Sequence, residues 1–85
     1  MAQTENNSIT VSINSSDKLI WEGKAISLSS INSNGPFDIL PLHANFITIV
    51  ENNPIKINTG LNIEEYTFPN AIIYASKNRV LIYTL

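Results

Sequence analysis

Asn70-Ala71-Ile72-Ile73-Tyr74-Ala75-Ser76-Lys77-Asn78-Arg79-Val80-Leu81-Ile82-Tyr83-Thr84-Leu85 closes the sequence. Two β-prone runs, Asn70–Ser76 and Arg79–Leu85, flank Lys77-Asn78, which reads as a two-residue hairpin turn. Such turns place both central residues at φ > 0, a conformation that Asn tolerates and Lys resists. Both runs are apolar on both faces. Ala71, Ile73 and Ala75 oppose Ile72 and Tyr74; Val80 and Ile82 oppose Leu81 and Tyr83. A strand apolar on both sides is either interior to the fold or covered by something outside it.

The rest of the chain has the same punctuation. Ser8–Ile13 alternates cleanly, with Ile9, Val11 and Ile13 on one side, and reads as a half-buried strand. The cluster 14–18 is a turn, and Leu19–Glu22 is a short strand ended by Gly23. Lys24–Ile31 is expected to form the next strand, and Phe37–Leu40 a brief extended piece closed by Pro41. Phe46–Val50 is rich in β-branched residues, Glu51–Pro54 turns the chain, and Ile55–Asn58 returns it. Glu64–Phe68 is a further strand, stopped by Pro69. No window sustains a helical period over the ~10–12 residues a helix needs. Many short strands between turn residues imply an all-β fold, a flattened sandwich or barrel. Residues 8–85 form its one domain, and the polar segment 1–7 is expected to be a frayed arm.

Composition narrows the function. The 85 residues carry only 14% charged side chains and a net charge of −2. The five Lys and Arg are scattered, so there is no basic stripe for nucleic acid. With no cysteine, disulfides, thiolate metal sites and a Cys nucleophile are excluded, and an intracellular address is mildly favoured. Met1–Ser8 is polar and contains no apolar segment of a signal peptide. No apolar run approaches the ~18–20 residues of a membrane span. Asn6-Asn7-Ser8 and Asn14-Ser15-Ser16 match the glycosylation sequon, which in so Asn-rich a chain reads as coincidence.

The candidates for chemistry are weak. The single histidine, His43, rules out a His-pair metal site. Asp38 lies five residues before it, and Ser29, Ser30 or Ser33 could complete a triad, but such a triad is defined by geometry. Glu64 and Glu65, adjacent on a strand, point to opposite faces and cannot converge on a substrate. Gly23, Gly35 and Gly60 have no phosphate-binding spacing, so neither cofactor nor metal is expected. Trp21, Phe37, Phe46 and Tyr66 could form a sugar-stacking platform, but their alternating contexts place them in the core. His43 after a turn reads as a residue that holds the loop's shape or as a loop-tip contact to a partner.

One segment carries a resemblance. Gly35-Pro36-Phe37-Asp38-Ile39-Leu40-Pro41-Leu42-His43-Ala44 resembles the G-x-(F/L)-x-I-L-P-G-H-A segment of epsilon subunits of F-type ATP synthases, called delta in mitochondria. Thr10–Gly23 resembles that family's opening strand and turn, and Asn70–Leu85 its closing hairpin. The order and spacing fit over Ile9–Leu85, loosely between Ile57 and Phe68. Leu42 stands where the family usually has Gly, and Asn70-Ala71 where it has Gly-Gly. Gly at position 42 would permit φ > 0; Leu resists it, so the loop either keeps that backbone under strain or is remodelled.

The resemblance implies a flattened β-sandwich of about ten short, mainly antiparallel strands. It implies a non-catalytic rotor subunit of a proton- or sodium-translocating ATP synthase, joining the gamma subunit to the membrane c-ring. That role needs no nucleic acid and no insertion into the bilayer. The corresponding address is the cytoplasmic face of the inner or plasma membrane, held through the complex. Carried over, it gives contact roles to Asp38, Pro41, Leu42 and His43, with Phe37, Ile39 and Leu40 anchoring the loop in the core. The family continues into a C-terminal helical hairpin that regulates ATP hydrolysis. A chain stopping at Leu85 is expected to couple without inhibiting. The alternatives are a stand-alone β-sandwich interaction module serving another complex, and a small carbohydrate or ligand binder using Trp21 and the exposed Asn residues.

Overall fold

A computed structural model describes residues 8–42 and 45–85. The expected arm at 1–7, together with His43 and Ala44, lies outside the described residues. Among the described residues, nine strands run β1 (Ile9–Asn14), β2 (Leu19–Ala25), β3 (Ser27–Asn32), β4 (Gly35–Ile39), β5 (Phe46–Val50), β6 (Pro54–Asn58), β7 (Ile63–Thr67), β8 (Ala71–Ser76) and β9 (Arg79–Thr84). They form a five-stranded sheet in the order β2-β1-β9-β8-β5 and a four-stranded sheet in the order β4-β3-β6-β7. The all-β sandwich expected from the sequence is observed, with nine strands where about ten were anticipated.

The terminal hairpin is the spine of the larger sheet. Lys77 and Asn78 have φ of 53° and 62°, so the two-residue turn forms despite the lysine. β9 then pairs in parallel with β1, Val11 opposite Val80 and Ile13 opposite Ile82. The register sets one inward row across all five strands: Thr48, Ile73, Ile82, Ile13 and Trp21. Ile73, Ile82 and Ile13 are fully buried. The four-stranded sheet supplies Leu28, Ile39, Ile55 and Ile57 from the other side, and these too are buried. Alternation alone directs these residues inward, since successive side chains on a strand point to opposite faces.

Among the described residues, buried hydroxyls are few and satisfied. Ser30 Oγ donates to the Pro54 carbonyl at 2.8 Å, and Thr84 Oγ1 to the Asn70 carbonyl at 2.9 Å. Asn14 Nδ2 donates to Ser12 Oγ at 2.8 Å. Asparagines brace the connections: Asn32 Nδ2 reaches Thr48 Oγ1 at 2.9 Å and ties β3 to β5, and Asn58 Oδ1 accepts the Gly60 N–H at 2.9 Å. The Asn-rich composition therefore serves the turns, where the amide replaces a backbone partner.

Several strand boundaries differ from expectation: β4 is Gly35–Ile39 rather than Phe37–Leu40, β7 is Ile63–Thr67 rather than Glu64–Phe68, and two further differences have a visible cause. β2 does not stop at Gly23; it runs to Ala25. Gly23 is required inside the strand because the Trp21 indole lies over it: a Cβ there would sit 2.9 Å from Trp21 Cη2 and Cζ2. The stretch Lys24–Ile31 is not one strand either. The chain bends at Ile26, where it leaves one sheet for the other, and the Ile26 N–H donates to the Asn58 carbonyl at 2.8 Å. Gly23→Ala is expected to cost about 1–3 kcal/mol, because the indole must move off the core. Thermal unfolding would show the loss, and Trp21 fluorescence would shift to the red. An unshifted emission spectrum would mean that the ring does not rest on Gly23.

Candidate partner interface

The loop between Leu40 and Asn45 joins β4 in the smaller sheet to β5 in the larger. It shares one end of the sandwich with the Lys77-Asn78 turn, since β8 runs antiparallel to β5. Phe37 and Ile39 lie on its incoming strand, both turned toward the core. Ile39 is fully buried, and the half-buried Phe37 ring tilts at 53° against Phe46, centroids 5.3 Å apart. Leu40 is not an anchor. It is 52% exposed, because it follows the buried Ile39 by one position and so leaves on the opposite side.

Of the four residues given contact roles, Pro41 and Leu42 lie together in the loop, Pro41 half-buried and Leu42 exposed. Asp38 belongs to β4 rather than to the loop, on the outer face of the smaller sheet. His43 lies outside the described residues. Leu42 adopts φ 67°, so the loop keeps the left-handed backbone that glycine would favour. Its N–H donates to Asn78 Oδ1 at 2.5 Å. Leu42→Gly is therefore expected to stabilise the domain by about 1 kcal/mol, since a left-handed L-residue costs roughly that much and little burial is lost. The melting temperature should rise by about 4–8 °C; a fall would show that the Leu42 side chain contributes more than its backbone costs.

No catalytic constellation assembles among the described residues. Ser29 and Asp38 are cross-strand partners, and the Ser29 hydroxyl donates straight to the Asp38 carboxylate at 2.5 Å. A triad needs an imidazole between the two. Ser30 is committed to the Pro54 carbonyl. Glu65 pairs across the sheet with Lys56, and Glu64 with Ile57. No group of three or more His, Cys, Asp and Glu converges among the described residues. Trp21, Phe37, Phe46 and Tyr66 pack against the core instead of forming an open platform. No described helix is long and apolar enough to cross a membrane.

The two outer faces differ in character. On the smaller sheet, Asp38, Ser29, Lys56 and Glu65 form one polar row. On the larger sheet, Ile47, Tyr74 and Leu81 form one row and Ile49, Ile72 and Tyr83 the next. Ile47 is 66% exposed, Ile49 56%, Ile72 46% and Tyr83 50%. This grid covers β5, β8 and β9; beyond it, on β1 and β2, the face turns polar at Thr10, Ser12, Glu22 and Lys24. At the Leu85 end the apolar rows border a hollow of about 280 Å³ whose lining includes Ile49, Ile72, Tyr83 and Leu85 together with the polar Glu51 and Asn70. Contiguous apolar surface of this kind, rimmed by polar residues, is the character of an interaction site for a protein, a membrane or a ligand. The two-faced hairpin announced half of it. The contribution of β5 was missed, although Phe46-Ile47-Thr48-Ile49-Val50 is apolar at four of five positions and carries the same signal.

Comparison with known proteins agrees with this fold. A family model described as the β-sandwich domain of the ATP synthase delta/epsilon chain matches residues 8–85. Comparison with curated proteins returns no match. Among solved structures, a chain of the Euglena gracilis mitochondrial ATP synthase, in its OSCP/F1/c-ring assembly, superposes with a TM-score of 0.83 at 14% identity, covering 92% of this chain and 51% of its own. A chain of the Tetrahymena thermophila mitochondrial ATP synthase central stalk and c-ring superposes with a TM-score of 0.74 at 9% identity, covering 91% and 63%. The sequence thus spans between half and two thirds of the length of these two chains.

Proposed function

The chain belongs to the family of ATP synthase delta/epsilon β-sandwich domains, and from that premise we propose that it is a non-catalytic part of the rotor. It joins the gamma subunit to the c-ring, on the cytoplasmic side of an energy-transducing membrane, and turns with them. The observation that carries this reading is the apolar grid of Ile47, Ile49, Ile72, Tyr74, Leu81 and Tyr83, left open on a sheet whose opposite face is already filled by core. A rotor part transmits torque through surface contact, so it needs a rigid body and a large covered face, not a cleft. The β-sandwich supplies the body, because every strand is hydrogen-bonded within one of two sheets packed on one core.

Two surfaces divide the work. The apolar face of the larger sheet meets gamma, the partner with which it stays permanently joined; permanent interfaces are the more hydrophobic ones. The Leu40–Asn45 loop, with Pro41, Leu42 and His43, meets the polar loops of the ring together with the foot of gamma. Binding of the purified chain to the gamma subunit and c-ring of the same organism tests the assignment. Association at or below micromolar concentration is expected, and no binding at that concentration would overturn it. Retention by an unrelated complex, with gamma ignored, would favour an interaction module that shares only the fold.

A further inference from the structure

Asn78 is held from two sides. Its carbonyl accepts the Thr10 N–H at 2.9 Å, which fixes the turn against the start of β1. Its side-chain Oδ1 accepts the Leu42 N–H at 2.5 Å, across 36 positions of sequence. Asn78 and Leu42 are both left-handed, at φ 62° and 67°. Leu42 is 71% exposed, so side-chain packing does not hold its backbone in that conformation. An unfavourable backbone persists only where its surroundings over-determine it, and the Asn78 amide is the partner that the Leu42 peptide has in this structure.

The residue at position 78 must meet two demands at once. It must tolerate φ > 0 to close the two-residue turn, and it must present a side-chain acceptor to the neighbouring loop. Gly meets the first alone; Asn and Asp meet both. We propose that Asn78 is the positioning residue of the docking loop: through Oδ1 it fixes the Leu42 peptide and so sets how Pro41 and Leu42 face the rotor partner. The proposal rests on the reading of that loop as a docking element. It also makes the β8–β9 turn part of the interface machinery. A force on the loop is handed directly to the central strands of the larger sheet.

Asn78→Gly and Asn78→Asp separate the turn from the latch. Both suit the turn, so the thermal midpoint should stay near that of the parent. In Asn78→Gly, hydrogen exchange at the Leu42 amide should accelerate by about tenfold or more, as for a freed surface amide. Affinity for a gamma–c-ring subassembly of the same organism should fall by a similar factor. Asn78→Asp should restore both. An unchanged Leu42 exchange rate in Asn78→Gly would overturn the latch itself. Faster exchange with undiminished affinity would leave the hydrogen bond real and overturn the positioning role, whereas a parent chain that fails to bind the subassembly would overturn the docking-loop reading beneath it.

Discussion

Ile82→Ala is expected to remove about 2–5 kcal/mol of stability, the range for truncating a buried Ile in a close-packed core. Ile82 is fully buried on β9, the middle strand of the larger sheet, with Ile73 and Ile13 beside it in register. The void would therefore open at the centre of the inward row, where strands hydrogen-bonded on both sides have little freedom to close it. A domain of this length has on the order of 4–13 kcal/mol in total, so the variant should lie close to unfolding. Urea titration would show a lower midpoint with an unchanged slope. Ile82→Val should lose about 0.5–1.5 kcal/mol and provides the graded control. An Ala variant within about 0.5 kcal/mol of the parent, the range of an uneventful surface substitution, would refute this account of the core.

Ile72→Lys is expected to leave the fold standing and to disrupt assembly. Ile72 is 46% exposed between Ile49 and Tyr83 on the outer face, so an isolated domain can let the lysine reach water. Under a partner that outlet closes, and an unpaired ammonium is buried at the middle of an apolar contact. The cost is about 2–4 kcal/mol, a loss of roughly 30- to 1,000-fold in affinity for gamma. Thr10→Lys, on the polar half of the same face, should change affinity by less than about tenfold. Titration calorimetry of both variants, with melting curves alongside, makes the comparison. Equal effects at the two positions would remove the apolar grid from the interface.

Both experiments start from features that differ in how far they can be read from sequence. The inward row is legible, because Val11, Ile13, Ile73, Val80 and Ile82 recur at period two, and a one-residue slip would put all of them in water. The turn at Lys77-Asn78 was legible from its length. Leu40 was misread, since the apolar run Ile39-Leu40 does not say which residue faces in; only the pleat of β4 decides that. Gly23 was misread for a different reason. As a punctuation residue it signals an end, yet here it admits an indole from two positions away, and the need for that space appears only once Trp21 is laid over it.

The loop shows the same division. Its place in the chain and its membership of the delta/epsilon pattern were readable from ten residues, whereas its conformation was not. A leucine at position 42 argued against φ > 0, and the backbone is nevertheless left-handed at 67°. The hydrogen bond from its N–H to Asn78 Oδ1 spans 36 positions, and local propensity cannot contain it. Sequence alone determined the class of fold, the hairpin that organises it, the absence of cysteine chemistry and the family. Those follow from residue type and from a spacing of two, which act over a few neighbours. The parallel closure of β1 on β9, the apolar grid contributed jointly by β5, β8 and β9, and the strained Leu42 peptide were decided by tertiary structure. Each depends on strands far apart in the chain being brought side by side, and only the packing of two sheets on one core fixes which strands those are.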